Sequence, residues 1–220
     1  FFYNLILLPF ALISGPFLPD LIISVNAFLF IFLSIKKKIF KNFFFNKISL
    51  FFFIWFFYLL LRSLFSQYPE LSLGSSLFYL RFYVYSLVIL YLCLTNKKTI
   101  KYFSISLFIA FTILIIDGFF QFIYGYNLIG LPSHGDRVSS FFGEEKILGS
   151  YLSRLMPILF GLFVLIYERK KFFVYFLIFL LFSVDVLVYI SGDRSAFLNL
   201  IIFTLLVIFL IKKFYLLRIL

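Results

Sequence analysis

The sequence predicts an all-α, polytopic integral membrane protein, and three observations predict it. The 220 residues are 64% hydrophobic and only 13% charged, whereas a soluble domain carries roughly a quarter of its residues as charges. The apolar residues come in continuous runs rather than in the apolar/polar alternation of a membrane β-strand. The lysines recur in clusters after every second run, as an up-and-down path through a bilayer requires. In lipid the backbone must satisfy its own hydrogen bonds, so only helices and closed barrels span, and unbroken runs select helices.

In chain order the runs are about 1–14, 17–35, 48–66, 77–95, 102–124, 147–167, 172–190 and 196–211. At 1.5 Å rise per residue most reach across a hydrocarbon core of about 30 Å. This reading gives about eight transmembrane helices in one helical domain over 1–220. Ser14-Gly15-Pro16 is the turn after the first run. Phe1 in place of Met, the apolar start and a basic cluster close to Leu220 give the expectation of a fragment incomplete at both ends. The 38 phenylalanines rise together with Ile, Lys, Asn, Tyr and Leu, the signature of AT-rich coding, and are read as lipid-facing filler. Cys93, the one cysteine, lies inside a run and reads as a small buried hydrophobe; it offers neither a disulfide within the chain nor a metal cluster.

The lysine clusters are Lys36, Lys37, Lys38, Lys41 and Lys47; then Lys97, Lys98 and Lys101; then Arg169, Lys170 and Lys171; then Lys212 and Lys213. The positive-inside rule puts them in the cytoplasm. The opposite side has different chemistry. Its loops are 67–76, the longer GYNLIGLPSHGDRVSSFFGEEK at 125–146, and the short Ser191-Gly192-Asp193-Arg194-Ser195. Arg62, Arg81, Arg137, Arg154 and Arg194 lie near these ends, with Glu70, Asp136, Glu144, Glu145 and Asp193. Arginine outside runs against both the coding bias and the charge rule. Its planar fork grips phosphate or carboxylate bidentately, so the set points to an anion site at the outer face. Pairing of each arginine with a nearby acid is the competing reading.

Arg81 lies about one turn inside its run. A charge at mid-bilayer costs about 2.5–3.5 kcal/mol, so Arg81 either snorkels outward or faces a polar cavity. Asp117 and Gln121 share one helix face at i,i+4. Asp117 either pairs with an arginine or orients a sugar hydroxyl. His134, the only histidine, stands in a turn-rich loop stretch and reads as solvent-facing. Glu144 and Glu145 precede the 147–167 run, where carboxylates suit a helix dipole. Arg194 follows a glycine turn; Ser195 is the expected cap of the next helix, whose first amides with Arg194 would form an anion-binding end. There is no phosphate-binding glycine loop, no metal-ligand cluster and no Ser-His-Asp set in usable spacing. No cofactor, metal or nucleic acid is implied.

Several stretches in order resemble the O-antigen ligase family and its Wzy-type O-antigen polymerase relatives. They are RSLFS at 62–66, SSLFYLRF at 75–82, DGFFQ at 117–121 with GYNLIG at 125–130, RVSSFFGEE at 137–145, LGSY at 148–151 and SGDRSA at 191–196. The resemblance covers the first two thirds of the family pattern. It implies a metal-independent glycosyltransferase at the periplasmic face of the bacterial inner membrane. The donor would be a glycan on undecaprenyl pyrophosphate. The acceptor would be lipid A-core for a ligase, or another lipid-linked glycan for a polymerase. Arg194 matches the family's Ser-x-x-Arg position, where an essential arginine meets the donor pyrophosphate. The family's large periplasmic loop, with a second essential arginine and a histidine, lies beyond residue 220, so the general base is expected there and the fragment is expected to be inactive.

The expected donor contacts are Arg194 first, then Arg81, Arg137 and Arg154, supported by Glu144, Glu145 and Asp117. Partners would be the lipid-linked donor, the acceptor and membrane lipids. Two other classes compete. A transporter or flippase would show repeated halves and a polar path through the membrane, but the chain has no internal repeat and its polar residues collect at one face. A non-catalytic scaffold would tolerate loss of Arg194 or Arg81.

Overall fold

The computed structural model describes residues 1–133, 137–145, 147–167 and 171–210. His134, Asp136, Lys146, Arg169, Lys170, Lys212 and Lys213 lie outside them. Among the described residues the chain is helical without strands: α1 (Phe2–Ile13), α2 (Phe17–Lys36), α3 (Phe40–Phe44), α4 (Lys47–Leu64), α5 (Pro69–Phe78), α6 (Leu80–Thr95), α7 (Thr99–Tyr124), a 3₁₀ turn at Ser140–Phe142, α8 (Leu148–Tyr167), α9 (Lys171–Ile190) and α10 (Arg194–Leu210). Five segments are long and apolar enough to cross a membrane: Phe17–Lys36, Lys47–Leu64, Pro69–Thr95, Thr99–Tyr124 and Leu148–Ile166. The apolar stretches Phe2–Ile13, Tyr175–Ile190 and Arg194–Phe209 are shorter. Several such helices in one chain make a multi-pass membrane protein.

The helix ends follow from their residues. Gly15 takes φ +115°, open to glycine alone at no steric cost, and turns the chain between α1 and α2. Asn46 caps α4 by accepting from the Ser49 N–H at 2.8 Å. The segment 67–76, expected as a loop, is mostly helix. Pro69 supplies a preset φ at the start of α5 and Glu70 a carboxylate in its first turn. Its serines hide this start, because their hydroxyls bond back to carbonyls of the same helix, as Ser76 does to Ser72 at 2.8 Å. The 77–95 run is accordingly the second part of a longer helical segment, interrupted at Tyr79.

The chain forms two compact units, residues 1–8 with 16–99, and residues 9–15 with 100–220. In the first, α2 packs along α6 and α4 along α5. Phe30, fully buried, is its aromatic centre, with Phe43, Phe44 and Tyr91 ringed around it. In the second, one buried stripe from each helix meets in a common core. Leu107, Phe111 and Leu114 come from α7, Leu152, Met156 and Leu159 from α8, Val184, Leu187 and Val188 from α9, and Ala196 and Leu200 from α10. The three-to-four spacing is that of one helix face. Lipid supplies no hydrophobic drive between helices, so close packing must hold them, and small residues permit it. A methyl at Gly118 would lie 2.7 Å from Leu187 Cδ1, and one at Gly149 2.7 Å from Ser191 Oγ and 2.9 Å from Asp193 Cβ.

Candidate functional site

The turn between α9 and α10 is the centre of the arginine-bearing region of the second unit. Ser191 N–H closes onto Leu187 O at 2.9 Å, and its hydroxyl donates to Val188 O at 2.7 Å, ending α9. Gly192 then takes φ +70°. Asp193, not Ser195, caps α10. Its Oδ1 accepts from the Ala196 N–H at 3.1 Å and from the Ser195 hydroxyl at 2.9 Å, and its Oδ2 from the Ser150 hydroxyl at 2.7 Å. Asp193 directly precedes the first helical residue and offers a charged acceptor, whereas Ser195 already lies inside the helix. Burial pushes the Asp193 carboxyl up, but bonds from Ser150, Ala196 and Ser195 outweigh it and hold the group below its ordinary range. The first amides of α10 therefore already face a carboxylate, and anion binding at this turn falls to the guanidinium groups.

One of these lies against the turn and a second follows it in the chain. The Arg137 side chain lies across Gly192, where a methyl would sit 3.0 Å from Nε and 3.2 Å from Cδ. Only a glycine leaves that space. Arg194, two residues on, is exposed at the start of α10. Arg154 is exposed on α8, four residues after Ser150 and so on the same helix face. Ser150 is the residue that reaches Asp193. Among the described residues, ion pairing is confined to Arg81 with Asp20, leaving Arg137, Arg154 and Arg194 without a carboxylate partner.

Arg81 belongs to the first unit and is heavily engaged. Its Nη2 meets Asp20 Oδ2 at 2.9 Å, its Nη1 donates to the Ser24 hydroxyl at 3.2 Å, and its guanidinium lies 4.9 Å from the Phe82 ring centre. Donor contact at Arg81 would have to displace or share the Asp20 carboxylate. Sequence reasoning passed over Asp20, although it stands in the first turn of its helix at the outer end of a predicted span.

Asp117 and Gln121, both fully buried, organise the loop that follows α7. Asp117 accepts from the Leu128 N–H at 2.8 Å and from the Ser140 hydroxyl. Gln121 Oε1 accepts from the N–H groups of Ser139 and Ser140 at 3.0 and 2.6 Å. Asn127 Nδ2 donates to Ser140 O at 3.1 Å, and its Oδ1 accepts from Leu131 N–H at 2.7 Å. Asp117 thus pairs with no arginine: it ties Leu128 and Ser140 to α7, and Ser140 stands three residues after Arg137. Glu144 and Glu145 are exposed in the turn after the 3₁₀ segment and fall outside the first turn of α8, so they do not serve its dipole as expected. Asp185 of α9 accepts from the Thr204 hydroxyl of α10 at 3.3 Å.

Comparison with protein-family models, with curated proteins and with solved structures finds no match to this chain.

Proposed function

We propose that the chain belongs to a membrane glycosyltransferase that moves a glycan from undecaprenyl pyrophosphate to lipid A-core, with its active face periplasmic in a bacterial inner membrane and about eight spans. The observation that carries the reading is Arg137 lying across the Gly192 turn that Arg194 follows in the chain, both exposed and neither ion-paired among the described residues. In such a transfer the bond from the anomeric carbon to the pyrophosphate oxygen breaks and the diphosphate leaves with the electron pair. The acceptor oxygen forms the new glycosidic bond and its proton passes to a general base. The leaving group's growing charge is what guanidinium groups stabilise by bidentate hydrogen bonds. Transfer to a second lipid-linked glycan would use the same donor half.

The test is complementation of a surface-glycan defect in the native host by the full-length protein. Arg194→Ala is expected to lower transfer at least about a hundredfold, in the range of removing one preorganised charge-stabilising donor. Arg194→Lys is expected to recover only a small part, because lysine lacks the bidentate fork. Full transfer by both variants would reject the assignment and favour a scaffold.

A further inference from the structure

The first unit carries a second feature that the transfer chemistry does not use. A cleft of about 520 Å³ opens between α3 and the start of α4, walled by Phe40, Phe44, Phe45, Leu50 and Phe53, with Lys47 at its lining. We propose that this cleft binds one anionic phospholipid of the leaflet that the lysine clusters face, an acyl chain on the phenylalanine wall and the phosphate against Lys47.

Three observations support it. The wall is fixed in place. Phe40 and Phe44 stack at 4.3 Å between ring centres, Phe44 packs on the buried Phe30, and Ser49 ties the end of α3 to α4 by donating to Phe43 O at 3.0 Å. A volume of this size lies in the range of formed ligand sites. The charge is one-sided. Lys36, Lys37, Lys38, Lys41 and Lys47 lie in a stretch with no acid between Asp20 and Glu70, and such clusters draw anionic lipid. Lys47 also stands in the first turn of α4, where the helix dipole disfavours a cation. A phosphate beside it would be attracted by both the ammonium and the helix end. The positive-inside rule explains lysines on this side, but not an aromatic cleft beside one of them.

The experiment uses the whole chain purified in detergent with equal amounts of phosphatidylglycerol and phosphatidylcholine of identical acyl chains, and reads bound lipid by native mass spectrometry. The expected result is one retained phosphatidylglycerol, in about fivefold or greater excess over phosphatidylcholine. Lys47→Gln should reduce that excess to near parity. Leu50→Trp, which fills the cleft from an exposed position, should remove the retained lipid. Lys98→Gln, in another cluster, should change neither. Equal retention of the two lipids by the unaltered protein would overturn the proposal, as would undiminished phosphatidylglycerol retention in both Lys47→Gln and Leu50→Trp. A second copy of the chain seated on the cleft would do so too, appearing as a dimer that excludes the lipid.

Discussion

Ser140 holds φ +52° and is fully buried, with each of its polar groups engaged. Its N–H goes to Gln121, its hydroxyl to Asp117 and its carbonyl accepts from Asn127. A left-handed conformation costs a non-glycine residue about 1–2 kcal/mol, and these three bonds offset it. The Asp117–Gln121 face was legible in the sequence as an i,i+4 pair. Its partners were not, because they lie 10 to 23 residues away in a loop without periodicity. Gln121→Leu would strand two buried N–H groups at about 1–3 kcal/mol each. The expected result is a melting temperature lowered by several degrees, and looser Arg137 packing read as faster proteolysis of the 125–143 loop. At Asp193 the folded carboxyl lies below its unfolded value of about 3.9. Its contribution to stability is therefore complete above that pH and is lost as pH falls through the folded value. Melting followed from pH 6 to pH 2 should show a steeper acid loss in the unaltered protein than in Asp193→Asn, which keeps a capping oxygen but no titrating charge.

Among the elements, the long apolar helices were legible because continuous apolar runs of this length have few other structures open to them in lipid. The turn at Gly15–Pro16 was legible from residue chemistry alone. The start of α5 was not, since a serine-rich stretch reads as loop until Pro69 and Glu70 are taken together as a helix beginning. Contact between α8 and the α9–α10 turn was equally hidden, because Gly149 gives no sign in sequence of what lies opposite it. That contact sets where Ser150 meets Asp193. Gly149→Leu should push the turn away from α8 and lower both stability and transfer, by about 1–3 kcal/mol in stability. Gly161, which faces open space within the structure, provides the comparison. Gly161→Leu should melt close to the unaltered protein, and equal effects at the two glycines would contradict the packing account.

For the whole molecule, the separation of the lysine clusters from most of the arginines along the chain was visible in the sequence before any geometry. Composition could not tell which arginines are free. Arg81 has Asp20 in the first unit, whereas in the second Arg137 lies across Gly192, two residues before Arg194. Sidedness is checked with single cysteines placed in a Cys93→Ser background. A cysteine at Lys98 should react with an impermeant maleimide only after the cytoplasmic side is opened, and one at the exposed Leu128 should react from outside. The reverse pattern would invert the topology. The central claim, that Arg137 and Arg194 together hold a diphosphate, is tested most directly by a double-mutant binding cycle with undecaprenyl pyrophosphate, using Arg137→Ala, Arg194→Ala and the pair. Each single substitution should weaken binding about tenfold or more, and the pair should lose less than the sum because both act on one ligand. Unchanged affinity in the doubly substituted protein would contradict the account.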